Sequence, residues 1–339
     1  MTSILADFHD RRNSGNAIVI MPISRLKIDN DPIYFDNFVF YPDNYFDLIK
    51  LRIAPHNRHE LREFKSSVTG IKPNVFLDNA TVAFSWNVEW LKFYRQNYDS
   101  DCKLIAELSE HAENFMDIVR LYKCRLDLPD TLPGKVGTWN DGHGFSGALL
   151  YDRDNQESYI IAGSVLTHIN IKGIGLELDL EDQQIQSLGN GETGRIAQRA
   201  LALRTKALEA NNLTSKYFQS IGLFEFLAYP DEYKEFKKVK QMICRHVAND
   251  NRDYLRLLNR FNVLGNKGDG TEKGYREKIV HQGKRLEEIL PDANDIERLF
   301  DEIDFYLRAV IFDMVEYSDR SWSDFLTFRE SLKHKLGLN

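Results

Sequence analysis

One change of hydrophobic period limits the folds open to this chain more than any motif does. From Ala17 to Ile53 the runs "NAIVIMPIS", "PIYFDNFVFYP" and "FDLIKLRI" are rich in β-branched and aromatic residues and are separated by Asn, Asp and Pro clusters. That pattern predicts about three strands. Beyond Asp182 the polar passage "QQIQSLGNGETGR" intervenes, and almost everything after it repeats at 3.6 residues instead of two. A chain of 339 residues also exceeds what one core usually serves. The expected architecture is therefore an α+β domain over residues 1–189 followed by an all-α bundle over 190–339.

Within the first half, "NATVAFSWNVEWLKFY" reads as a strand running into a helix, and Leu104, Leu108, Ala112, Phe115, Ile118, Val119 and Tyr122 recur at helical spacing. "GTWNDGHGFSGALLYD", "ESYIIAGSVLTHINI" and "GIGLELD" return the chain to sheet. In the second half Ile196, Ala200, Leu203 and Ala207 line a first helix, and Tyr217, Ile221, Phe224 and Leu227 or Ala228 a second. Two further helices lead to the turn "GNKGDG". The stripe Ile296, Leu299, Phe300, Ile303, Leu307, Val310, Ile311 and Met314 marks a long core helix, with Asn294 and Glu297 as its expected capping pair. A terminal helix should turn Trp322, Phe325 and Leu326 inward.

The composition narrows the function classes. A formal charge of −7 argues against a surface coated in positive potential, so nucleic-acid contact would need a local basic patch. Cys102, Cys124 and Cys244 are scattered and lack CxxC spacing, which suits buried thiols in a reducing compartment. No secretory leader pattern and no membrane-length apolar run is present, so a cytoplasmic protein without membrane contact is expected.

Several familiar patterns lack the context their chemistry needs. Gly142-His143-Gly144-Phe145-Ser146-Gly147 matches GxGxxG, but no helix opens at it, and a flexible β-loop is the better reading. Gly189 to Gly194 has the glycine spacing of a phosphate loop, yet Arg195 and Ile196 stand where Lys and Ser or Thr must be. His56 and His59 lie in an expected exposed loop, His9, His111, His143 and His168 have no zinc spacing, and no Asp/Glu pair stands out for hydrolysis. No metal and no cofactor is expected.

"GYREKIVHQG", residues 274–283, is different, because Arg276 and His281 are residue types suited to moving a proton and to holding a phosphate, the two tasks of metal-free RNA cleavage. A histidine can move the 2′-hydroxyl proton near neutral pH, and an arginine fork can hold phosphate oxygens as charge builds on them. On an ideal helix two positions five apart project about 140° from each other, so the pair converges only if the helix breaks, if a second subunit contributes, or both.

The spacing Arg276-x4-His281, the apolar pair before the histidine and Gly283 after it resemble the Rx4-6H signature of the HEPN superfamily, and especially the HEPN domains of ApeA-like antiphage proteins. Phe224-Glu225-Phe226-Leu227 and the long helix "DIERLFDEIDFYLRAVIFDMVEY" extend the resemblance over about 190–339. The residue after the arginine is Glu277, where the family commonly has Asn, Asp or His. The resemblance implies a homodimeric, metal-independent endoribonuclease acting on RNA, with tRNA as one target, in abortive-infection defence. Arg276 and His281 would be catalytic, with Glu277 and Glu225 in support. The first domain would sense a phage-derived trigger. A non-catalytic HEPN module that binds RNA or protein, or dimerises, is the alternative. A third reading, an enzyme in the first half, would need a polar cleft around residues 140–170.

Overall fold

The structure, a computed structural model, describes residues 4–8, 15–45, 51–52, 73–95, 98–140, 145–164, 174–265 and 273–338. The chain forms two compact units: Met1–Val119 with Asp130–Ser187, and Arg120–Pro129 with Leu188–Asn339. The junction at Leu188 lies close to the polar passage seen in the sequence. The assignment of Arg120–Pro129 to the second unit has no counterpart in the hydrophobic period.

The first unit is built on strands β1 Ala17–Pro22, β2 Leu26–Ile28, β3 Ile33–Phe35, β4 Phe38–Tyr41, β5 Thr81–Trp86, β6 Ser146–Asp152, β7 Glu157–Gly163 and β8 Leu176–Leu178. Six of them make an antiparallel sheet in the order β3-β4-β5-β1-β6-β7, while β2 and β8 pair parallel. The run "PIYFDNFVFYP" is two strands, not one, because Asp36 takes a left-handed turn at φ 44° between Phe35 and its partner Phe38. Of "FDLIKLRI" only Leu51 and Arg52 are described, and they are not strand. The helices here are α1 Ile4–Asp7, α2 Trp90–Phe93 and α3 Tyr98–Lys123 as far as Val119, its last turn belonging to the second unit.

Both sheet faces are covered, which explains why β1, β4 and β6 are buried at every position instead of alternating. One face packs Ile18, Ile20, Val39, Tyr41 and Leu149 against Phe76 and Trp139. On the other, Phe38 and Phe84 meet His111 and Phe115 of α3. Burial among these rings lowers the pKa of His111. The GxGxxG glycines Gly142 and Gly144 lie outside the described residues, as do His9, His56, His59, His143 and His168. Between 145 and 164 the chain is a fully paired hairpin.

The second unit comprises α4 Glu192–Leu208, α5 Leu213–Ala228, α6 Phe236–Val247, α7 Asn251–Leu264, α8 Tyr275–Gln282, α9 Leu286–Ile289, α10 Ala293–Glu316 and α11 Trp322–Lys335. The glycines of "GNGETG" serve packing: a Cβ on Gly194 would sit 2.1 Å from Gly189 O and 2.7 Å from Ser318 O. Helix α10 buries the expected stripe from Ile296 to Met314. Its cap differs from expectation, since Asp292 accepts from the Asn294 N–H and Asn294 lies within the first turn. On α11, Phe325 is buried and Trp322 half-buried, but Leu326 faces outward and Arg329 takes an inward place. Cys124 and Cys244 are buried, and Cys102 is half-buried.

An internal ion pair anchors the Arg120–Pro129 segment. Arg204 on α4 bonds Asp304 on α10 through Nε and Nη2, at 3.1 and 2.7 Å, with both side chains buried. Two further hydrogens meet the Arg120 and Cys124 carbonyls at 3.0 and 2.6 Å, at the last turn of α3. Lys216 on α5 reaches Leu126 O at 3.1 Å.

Candidate functional site

Helix α8 carries both residues of the motif, and glycines define its two ends. A Cβ on Gly274 would stand 2.0 Å from Gly265 O, so only glycine lets the start of α8 lie against the end of α7. Gly283 is left-handed at φ 67°, and its N–H closes the helix on Ile279 O at 3.1 Å. Ile279 is the one fully buried side chain of the eight-residue helix and holds it to the bundle.

Arg276 is ordered by two other helices. Its Nη2 lies 3.0 Å from Oε1 of Glu225 on α5, and each side chain is 28% exposed. The guanidinium also rests over the Phe236 ring, 5.9 Å from its centroid, at the start of α6. The ring limits the sweep of the guanidinium while the carboxylate sets its direction. The packing of α5 thus brings Glu225, one of the two expected supporting residues, to Arg276.

Glu277 has another partner. Its carboxylate faces Lys273, four residues back and just before the helix, at 3.9 Å. His281 is exposed, as are its neighbours Val280, at 51%, and Gln282. The helix runs unbroken from Arg276 through His281, so the broken-helix route to convergence is closed: α8 ends at Gln282, one residue after the histidine, and not between the pair. The two side chains project about 140° apart on one helix.

Arg260 of α7 stabilises the surroundings of this helix. It bonds Glu302 of α10 at 2.6 Å, and Tyr306 donates to the same carboxylate at 2.6 Å. Hydrogen bonds to Glu302, and further bonding to Tyr275 at the start of α8, raise the pKa of Arg260. Sequence periodicity places Phe236 and Arg260 on helices but gives no sign that either supports α8. Their roles depend on which helices become neighbours.

Among the described residues no three His, Cys, Asp or Glu side chains gather as a metal site would require. No helix there is long and apolar enough to cross a membrane. Comparison with protein-family models, curated proteins and solved structures finds no match to this chain.

Proposed function

We propose that the chain is a metal-independent endoribonuclease whose site forms between two copies of α8, with Arg276 and His281 as the catalytic residues. The observation that carries this reading is the contrast between them on one unbroken helix. Arg276 is fixed by Glu225 and Phe236, while His281 stands exposed beside the exposed apolar Val280. One copy cannot turn both groups to a single phosphate, and a two-fold arrangement of α8 supplies the missing direction.

In this reading His281 takes the proton from a ribose 2′-hydroxyl, and the freed oxygen attacks the adjacent phosphorus. Arg276 stabilises the phosphorane charge. The bond to the 5′-oxygen breaks, the His281 imidazolium gives its proton to that oxygen, and the products are a 2′,3′-cyclic phosphate and a 5′-hydroxyl. Glu225 orients the arginine, and Glu277, facing Lys273, acts at most through the surface charge of the helix. By the resemblance to HEPN domains of ApeA-like proteins, the first unit senses a phage-derived trigger and the RNA cleaved is tRNA or another host RNA, in abortive-infection defence inside the cytoplasm.

The Glu225 carboxylate favours one alternative, because it offsets the Arg276 charge that a phosphate would seek. On that alternative the helical unit binds RNA or protein, or dimerises, without cleaving. RNA incubated with the full chain in EDTA separates the two: cyclic-phosphate products that vanish in His281→Ala support the ribonuclease, and intact RNA at every protein concentration supports the binding module.

A further inference from the structure

The last carbonyls of a helix have no intrahelical donor, so a buried helix end needs side chains to reach it. At the end of α5 a single guanidinium does this. Arg329 of α11 donates from Nη2 to Leu227 O at 2.6 Å and from Nη1 to Ala228 O at 3.1 Å. The side chain is fully buried and lies over Phe325 and Trp322, 4.6 and 5.2 Å from their centroids. Burial lowers its pKa, against the opposing influence of Tyr229 and Asp313.

The third contact of Arg329 fixes a protonation state. Its Nε carries one hydrogen, which points at Nε2 of His246 on α6 at 3.1 Å. That ring nitrogen must present its lone pair. The ring proton then sits on Nδ1, 2.6 Å from Asp313 Oδ2 on α10. The Asp313 contact has the length of an ion pair, yet a doubly protonated ring would set one N–H against another at Arg329. The charged and titratable groups around the ring are Asp313 of α10, Arg329 of α11, and Arg245 of α6, itself held by Glu330 of α11 at 2.9 Å and bonded to Tyr254 of α7. Burial, Arg329 and Arg245 lower the pKa of His246 and outweigh the opposite pull of Asp313.

The helix end closed by Arg329 is the one that presents Glu225. The Glu225 carbonyl accepts the capping Tyr229 N–H at 3.0 Å, so Glu225, Leu227 and Ala228 share the final turn. We infer that Arg329 is a positioning residue of the candidate site: it fixes the turn from which Glu225 holds Arg276, and does so only while His246 is neutral. The inference rests on the ribonuclease reading insofar as Arg276 is a working group; the coupling itself does not.

Guanidinium ¹⁵N signals of Arg276 in the full chain read the Glu225 pair, with Glu225→Gln as the unpaired reference. Arg329→Lys, which cannot span both carbonyls and the imidazole, is expected to move those signals to the reference position with the helix content unchanged. The same variant lowers kcat for RNA cleavage about ten- to a hundredfold. Acidification of the wild type from about pH 8 until the His246 ring itself titrates moves the Arg276 signals the same way, in step with His246 and with a midpoint below about 6.5. In His246→Gln, whose amide oxygen accepts from Arg329 at every pH, that acid movement is absent. Wild-type Arg276 signals in folded Arg329→Lys, or an acid movement retained in His246→Gln, overturns the inference. Where Arg329→Lys does not fold, the wild-type and His246→Gln titrations decide. Signals that behave as expected in a chain that cleaves no RNA support the positioning and refute the ribonuclease.

Discussion

Arg276 of α8 and Glu225 of α5, 51 positions apart in sequence, meet at 3.0 Å with each side chain 28% exposed. A pair so open to solvent contributes only about 0–1 kcal/mol to stability, so its main consequence is directional. Glu225→Gln should leave the urea midpoint almost unchanged and lower kcat for RNA cleavage about tenfold or more, as a misaimed arginine would. A large loss of stability with undiminished cleavage would show that the pair is structural.

Removing the ring beneath the arginine separates aim from charge. Phe236→Leu keeps an apolar side chain at the start of α6 but takes away the face over which the Arg276 guanidinium lies. A cost of less than about 1.5 kcal/mol in stability is expected for such a hydrophobic exchange. Steady-state kinetics on RNA should show a fall in kcat with KM little changed, because the lost contact orients a group that acts on the transition state.

Gly283→Ala tests how α8 ends. A Cβ there meets nothing within 4 Å, so the cost is the left-handed backbone alone, at φ 67°. About 1 kcal/mol should be lost in a denaturant titration. No loss would mean that the helix end is not held in this conformation.

The buried pair Arg204–Asp304 behaves oppositely to the exposed one. Arg204→Met leaves the buried Asp304 carboxylate, whose pKa burial raises against the pull of Arg204, to Arg308 at 3.8 Å, and it removes the guanidinium bonds to the Arg120 and Cys124 carbonyls. The expected loss is about 3–5 kcal/mol by urea unfolding. A loss below about 1 kcal/mol would contradict the anchoring of the 120–129 segment.

His246 gives the helical unit an acid limit. Its pKa in the folded chain is lowered, so between that value and about 6.5 the unfolded chain binds more protons than the folded one. Stability therefore rises with pH through this window and is lost as pH falls through it. Thermal melts of the wild type from about pH 7.5 downward should show a decline beginning near 6.5 that His246→Gln lacks.

Periodicity carries information where burial follows one helix face, which is why the α10 stripe from Ile296 to Met314 and the span of α3 are legible in the sequence. It fails where a polar group is buried by a partner from elsewhere. The spacing turns Leu326 inward and gives no sign of Arg329, because the carbonyls of Leu227 and Ala228 that satisfy the guanidinium belong to another helix. The cap of α10 falls on Asp292 because Asp and Asn both satisfy a free N–H, and spacing alone does not choose between them. At the candidate site the motif names Arg276 and His281. Which carboxylate meets the arginine is tertiary: Glu225 does, and Glu277, next to it in sequence, faces Lys273.

The unbroken α8 makes cooperation between two copies the central claim, and mixing two disabled chains tests it directly. Arg276→Ala and His281→Ala, each folded and each alone unable to release 2′,3′-cyclic phosphate ends from RNA in EDTA, are combined in equal amounts and allowed to exchange subunits. The account predicts that cleavage returns, because a mixed dimer unites one copy's histidine with the other's arginine. A mixture as inactive as its components, or RNA left intact by the wild type itself, would contradict it.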